Sequence, residues 1–434
     1  MTKQEPSTQN LSLGLDVGTS GCRGILIDAD EALVDQQAVA LPSPERHGPR
    51  REQEPELWWQ ALAEVTSELA RRHPGRIASI AIDATSGTIL LCNPMGRPSS
   101  PALMYDDARA TSQAGRIAAL APRDSGAHGA SSGLAKLLWL LEHSAPTQPT
   151  RVLSQADWLS GRLRGCYDLS DQNNALKLGY DPRTQDWPDW LGGLGLPPGL
   201  LPEVVAPGTD IGPIDAGTAS RLGLPTTTRI VSGTTDSVAA FLATGAETPG
   251  EAVTSLGSTL AIKLVSEGPV FAPEYGVYSH RLWDRWLAGG ASNTGGAVLR
   301  QFFSQAALDR LTPLLRPEEP TGLDYYPLPA AGERFPVADP SLCPRLEPRP
   351  NEETRFLQGL LEGIARIELQ AYRRLQELGA PFPTSIRTVG GGASNPAWTE
   401  IRHRLLGVPM IEPPHSEAAY GAARLARRGI MSAL

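Results

Sequence analysis

The chain opens on a short-period pattern. Residues 11–17 alternate apolar with small or polar positions, residues 18–21 are a Gly/Ser/Thr turn, and residues 23–27 alternate again. Period-two alternation interrupted by a tight turn predicts two antiparallel strands. Asp28-Ala29-Asp30-Glu31 is a further turn signal, and residues 32–40 complete a three-stranded meander. The period then lengthens. Leu57, Ala61, Leu62, Val65 and Leu69 fall on one face of a helix over residues 54–72. Residues 77–82 are a short apolar run, read as a buried strand ending at Asp83.

This order returns in the second half. Residues 252–265, 275–282 and 285–291 read as strands, and Val298, Phe302 and Ala306 give residues 295–307 helical spacing. Pro and acidic residues crowd residues 312–350, which are expected as surface loops. A long helix over about 351–378 precedes a strand over 386–389, a glycine run, a helix beginning at Pro396 and a closing helix over about 416–428. Two halves of matching order predict a duplicated α/β unit with a cleft between the copies. No residue-level repeat accompanies it, so two unrelated α/β domains remain the alternative.

Composition narrows the chemistry. The 434 residues carry 39 basic and 47 acidic side chains, a net charge of −8 that argues against nucleic acid or anionic membrane as partner. Only Lys3, Lys136, Lys177 and Lys263 are lysines, which leaves few candidates for Schiff-base or phosphate-loop chemistry. Cys22, Cys92, Cys166 and Cys343 form no CxxC pair, and the seven histidines show no HExxH spacing. A reduced compartment is expected rather than a disulfide framework or thiolate metal site. Residues 1–10 are polar and no run reaches 18 apolar residues, so the expected location is cytoplasmic.

Four segments carry candidate chemistry. In Gly14-Leu15-Asp16-Val17-Gly18-Thr19-Ser20-Gly21, glycines let backbone N–H groups approach an anion and hydroxyls add donors. Asp16 stands where a carboxylate could hold hydrated Mg²⁺ against phosphates; an ordinary hairpin turn is the plainer reading. The spacing is neither GxxxxGK[ST] nor GxGxxG. In Ser232-Gly233-Thr234-Thr235-Asp236-Ser237 the aspartate heads an expected helix, as a cap or as a general base. Leu256-Gly257-Ser258-Thr259-Leu260 is a second Gly/hydroxyl hairpin, placed like the first in its own half, and the two could grip one polyphosphate. Gly390-Gly391-Gly392-Ala393-Ser394-Asn395-Pro396-Ala397-Trp398 enters a helix through an Asn cap and a Pro at its first position. Its flat backbone suits packing against a purine or ribose with Trp398 available for stacking, unless Trp398 belongs to the core.

Together, in this order, these segments resemble the FGGY carbohydrate kinases over residues 13–428. The resemblance implies an α/β fold of two RNase H-like lobes, shared with actin, hexokinase and the heat-shock-chaperone ATPases, around a central cleft. It implies a sugar-binding lobe over residues 11–243, completed by a helix from 415–434, and a nucleotide-binding lobe over 244–414. It further implies ATP and Mg²⁺ as cofactors. Gly18, Thr19 and Ser20, Gly257, Ser258 and Thr259, and Gly391, Gly392, Asn395 and Trp398 would contact the nucleotide. Asp16 would orient the metal and Asp236 would be the catalytic base.

The acceptor sugar would lie against Asp16, Thr85, Ser86, Gly87, Asp106, Asp107, Arg109 and Asp236, with residues 171–175, Lys177 and Tyr180 as a further polar cluster or a surface loop. Ala84-Thr85-Ser86-Gly87 lacks the bulkier polar residues of xylulose and glycerol kinases. It is more similar to the compact D-ribulose kinases, as is Asp-Gln-Asn-Asn-Ala-Leu-Lys-Leu-Gly-Tyr-Asp. A small Ser86 leaves room for a ketopentose, so D-ribulose is the first expectation and D-xylulose the second. A nucleotide-dependent switch without sugar chemistry stays open. An oxidoreductase built on the Gly390 run is the other open alternative, and the missing dinucleotide glycine spacing in the first turn counts against it.

Overall fold

The alternation at the start of the chain becomes strand β1, Leu11–Val17, antiparallel to β2, Gly21–Ile27, which pairs with β3, Leu33–Ala40. The coordinates are those of a computed structural model describing residues 10–144 and 150–431, so the polar stretch 1–9 lies outside the described residues. Leu11, Leu13, Leu15 and Val17 of β1 are fully buried in one cluster with Trp58, Leu62, Val65 and Leu69 of helix α1, Pro55–Arg72. Pro55 suits the first turn, where an absent N–H removes no helical bond.

The strand expected to stop at Asp83 continues one residue further as β4, Ile77–Ala84, parallel to β1 with Asp83 opposite Asp16. Helix α2, Gln155–Arg164, packs against it. Strands β5, Asp210–Pro213, and β6, Arg229–Thr235, extend the sheet to the order β5-β6-β4-β1-β2-β3. Helix α3, Asp236–Ala243, leaves β6 without a linker. A five-stranded sheet that periodicity did not reveal joins Glu45–His47, Arg50–Gln53, Ala102–Leu103, Ile89–Cys92 and Arg151–Ser154.

The chain divides into two units, residues up to Ala243 together with those from His415 onward, and Thr244–Pro414. The first is completed by the C-terminal helix Ala418–Met431, whose Ala419, Tyr420 and Ala423 cluster with Ile25, Ile27 and Ala243. A Cβ on Gly14 would lie 2.0 Å from Ala419 O and 2.1 Å from Ala423 N, so only glycine admits this helix against β1. Gly14→Ala is therefore expected to lower the unfolding free energy by roughly 2–3 kcal/mol, within the overpacking range, measured by chemical denaturation.

In the second unit, β7, Glu251–Leu256, and β8, Leu260–Ser266, form the expected hairpin. The next strand in the chain, β9, Tyr278–Leu282, lies at the sheet edge, and β10, Arg285–Ser292, takes the place beside β8. The meander of the first unit is thus repeated with one added edge strand. The single helix predicted over residues 295–307 is two, α4, Gly296–Phe302, and α5, Gln305–Leu311. Ser304 turns extended (φ −70°, ψ 163°) and its side chain accepts from Ala307 N at 3.2 Å, capping the second helix. Helix α6, Glu353–Glu377, leads into β11, Ser385–Val389, parallel to β7; helix α7, Pro396–Leu406, and β12, Met410–Ile411, follow.

Residues 312–350 are mostly irregular, as expected, but they are not merely a surface. Leu323, Tyr325 and Phe335 belong to the core. Glu333, 2% exposed, accepts from Ser292 Oγ at 2.6 Å and Asn293 N at 2.9 Å. Beneath α7, Arg402 and Glu368 form a fully buried bidentate pair at 2.6 and 2.7 Å. Arg402 also donates to Thr388 Oγ1 at 2.6 Å, and Thr254 Oγ1 donates to Glu368 at 2.5 Å. This network ties α7 to α6, β7 and β11.

Candidate active site

In the first unit, the ends of β1, β4 and β6 bring three carboxylates into one electrostatic neighbourhood. Asp16 and Asp83 face each other in register, and Asp236 begins α3 directly after β6. Asp16 and Asp236 are half-buried, whereas Asp83 is fully buried and neither of its oxygens meets a donor among the described residues. Burial pushes the Asp16 carboxyl up, with Asp236 adding to the rise and Asp83 and Arg23 opposing it. Burial raises Asp83 well above the ordinary carboxylate range, reinforced by Asp16 and Asp236. A protonated Asp83 can donate to Asp16. Sequence reading took Asp83 only as a strand terminus; an acidic residue closing an otherwise apolar strand was the signal.

The Gly18–Gly21 turn closes with Gly18 N donating to Gly21 O at 3.0 Å, leaving Thr19 half-buried and Ser20 exposed. Beyond β4, Thr85 is buried and Ser86 half-buried with Oγ sealed and unpaired. Gly87, at φ 81°, turns the chain here. Lys136, fully buried, fixes that turn by donating from Nζ to Gly87 O at 2.6 Å and Met104 O at 2.8 Å.

Burial lowers Lys136 to about 7, against the opposing pull of Asp107 and Asp106. The unfolded chain keeps this proton to about pH 10.4. Between about pH 7 and 10 the unfolded state therefore binds the extra proton, and this group's contribution to stability rises with pH. Denaturation at pH 7, 8 and 9 should show the wild type gaining on Lys136→Met as pH rises; a constant difference would refute the assignment.

The segment after Met104 divides. Asp106 is half-buried with Arg51 at 3.6 Å and Arg46 at 3.8 Å. Arg109, expected at the sugar, is held by two carboxylates. Its guanidinium is 5% exposed, pairs with Asp107 at 2.7 Å and Glu52 at 2.6 Å, and lies 4.7 Å from the Trp139 ring. These contacts engage its Nε, Nη1 and Nη2 and hold the segment in place. Residues 171–175 are not a surface loop: Asp171, Asn173 and Asn174 are 1–2% exposed. Asp171 caps the short helix Gln172–Ala175, and Asn173 Nδ2 donates to Thr234 Oγ1 at 3.0 Å. Tyr180 is buried, and Lys177 lies beside Gly87.

The second unit contains a cavity of about 570 Å³. Its lining includes Gly257 and Ser258 from the β7–β8 hairpin, Arg300 of α4, Gln305 of α5, and Gly392 and Asn395 before α7. Gly257 N donates to Thr259 O at 3.2 Å, Gly296 N to Gly257 O at 2.8 Å and Ala297 N to Ser258 O at 3.1 Å, fixing the hairpin on α4. Ser258 and Thr259 are exposed. Arg300 Nη2 donates to Ser258 Oγ at 2.8 Å, a cation beside the turn that sequence reading missed. Gly391–Ser394 is a 3₁₀ turn, and Asn395 caps α7 by accepting from Trp398 N at 3.0 Å. A Cβ on Gly392 would meet the Trp398 ring at 2.7 Å. Trp398 belongs to the core cluster at 2% exposed and also lines the cavity, so its ring forms part of the cavity wall.

Two α/β units, one with carboxylates and hydroxyls at its strand ends and the other with a glycine-walled cavity, define a two-domain kinase of the actin and hexokinase type. The N-terminal domain of the FGGY family of carbohydrate kinases matches residues 11–243, and its C-terminal domain matches residues 252–430. The chain belongs to this family and is a phosphotransferase acting on a sugar with ATP. It is 29% identical over 432 residues to the xylulose kinase of Streptomyces coelicolor, covering 95% of this chain and 86% of that one. It is 22% identical over 438 residues to the gluconokinase of Bacillus subtilis, covering 94% and 85%. The crystal structure of a xyloylose kinase from Brucella ovis superimposes with a TM-score of 0.87 at 25% identity, over 98% of this chain and 91% of that one. No helix among the described residues is long and apolar enough to cross a membrane.

Proposed function

We propose that this protein phosphorylates a terminal hydroxyl of a ketopentose, D-ribulose first, with Asp236 as general base. The observation that carries the reading is the juxtaposition of Asp16, Asp83 and Asp236 at the strand ends, near the turn at Ser86. A half-buried carboxylate next to two other acids holds a negative field that favours uptake of a hydroxyl proton. Ser86 is small enough to admit a ketose and supplies a hydroxyl that exchanges hydrogen bonds with it. D-Xylulose is the second reading, favoured by the xylulose kinases among the relatives.

The cavity walled by Gly257, Ser258, Gly391, Gly392 and Asn395 is assigned to the nucleotide, and Thr19 and Ser20 to the phosphate end. Backbone N–H groups and hydroxyls there would neutralise charge developing on the transferring phosphoryl group. Mg²⁺ takes one or two carboxylates plus substrate phosphates instead of an all-protein cage. The oxygen donors of half-buried Asp16 fit that role, and among the described residues no group of three or more His, Cys, Asp or Glu forms such a cage. When bound, the ion would shield phosphate charge; Asp16 would orient it. A coupled ADP-release assay over ketopentoses, aldopentoses and polyols tests the reading. Rates that do not depend on the sugar would defeat it.

A further inference from the structure

Buried polar atoms nearly always find partners, because an unpaired one is strongly unfavourable. At the exit of β4 and β6 several do not. Ser86 Oγ, Gln155 Nε2, Gln172 Oε1 and Thr235 Oγ1 are sealed from water without a hydrogen-bond partner. Gln155 is the most fully determined of them. It is wholly buried at the first position of α2, and its N–H donates to Thr88 O at 3.1 Å. Its Oε1 accepts from Thr85 Oγ1 at 2.8 Å, and Thr85 also pairs with Thr88 at 2.6 Å. That side of the amide is satisfied, and the Nε2 end, with its two N–H donors, is not.

A buried amide that served packing alone would be paired at both ends or replaced by an apolar side chain of the same size. Here the unfilled donor is held one hydrogen bond away from Thr85, and the next residue in the chain, Ser86, carries an unpaired hydroxyl of its own. A neutral two-donor amide and a neutral hydroxyl suit the oxygens of an uncharged polyhydroxylated molecule. We propose that Gln155 reads the acceptor sugar, its Nε2, covered in this structure, becoming accessible as the sugar enters and donating to a hydroxyl or keto oxygen in company with Ser86 Oγ. This makes Gln155 a specificity-determining residue, and it rests on the reading that the first unit holds the sugar.

Gln155→Leu, of similar volume, provides the test, with Gln155→Met as the unbranched variant in case the Leu side chain does not fit. Steady-state kinetics on the best ketopentose should show KM for the sugar raised roughly tenfold or more, with KM for ATP unchanged. The denaturation midpoint should stay level or rise, since the unpaired donor is gone. A purely structural Gln155 gives the opposite pair of results, a lower midpoint with the sugar KM untouched, and that outcome in a wild type that turns over sugar overturns this assignment alone. A wild type with no sugar-dependent turnover defeats the sugar reading and this assignment with it.

Discussion

Asp236→Asn should bind ATP normally and phosphorylate sugar roughly 10²–10⁴-fold more slowly, the loss typical of removing a general base. The substitution preserves shape and the contact by which Oδ1 accepts from Ser237 N at 2.6 Å at the start of α3. It removes the capacity to take a proton, together with the negative charge. Asp236→Ala should lose as much turnover, and a large difference between the two would point to a role in positioning. Sugar-dependent ADP release measures the first quantity and calorimetric ATP titration the second. Near-wild-type turnover in both variants would end the assignment of Asp236 as base.

Arg402→Met should produce the largest loss of stability, about 3–5 kcal/mol, because it leaves Glu368 buried without its counter-ion. Glu368 has no exposure through which to recruit water, and its remaining donor is Thr254 Oγ1. Removing both charges with Glu368→Met and Arg402→Met should recover most of the loss, since an apolar pair of similar volume is often neutral or stabilising. Chemical denaturation of the two single variants and the double variant completes the cycle. A single variant losing under about 1 kcal/mol would show that the pair is not sealed as described. Since α7 begins immediately after the Gly391–Ser394 turn, the variant should also weaken ATP binding.

What could be read from the chain without coordinates followed the range of the forces concerned. The β1–β2 and β7–β8 hairpins and α1 were legible because alternation, turn residues and helical spacing act within a few positions. The edge position of β9 was not, since strand order is decided by pairing partners that no local period records. The split at Ser304 depends on one capping side chain inside an otherwise helical spacing. The burial of Glu333 and Phe335 in residues 312–350 came from contacts with β10 some forty residues earlier. In the site, the hydroxyl and glycine motifs were visible as local chemistry. The pairing of Arg109 was not legible because its partner Glu52 lies 57 residues away, and Gln155 was overlooked because Thr85 lies 70 residues away. Asp83 needed only the register of two parallel strands to become conspicuous.

The return of Ala418–Met431 to the first unit affects how the protein is made. A ribosome finishes β1, β2 and α3 long before it makes the helix that buries Ile25, Ile27 and the backbone at Gly14. The whole of Thr244–Pro414 is translated in between. During that interval the nascent first unit exposes an apolar sheet face, a period of vulnerability to aggregation that a chaperone would shorten. Premature termination within the second unit would yield a fragment whose first unit is itself unfinished, even though most of that unit's sequence is present.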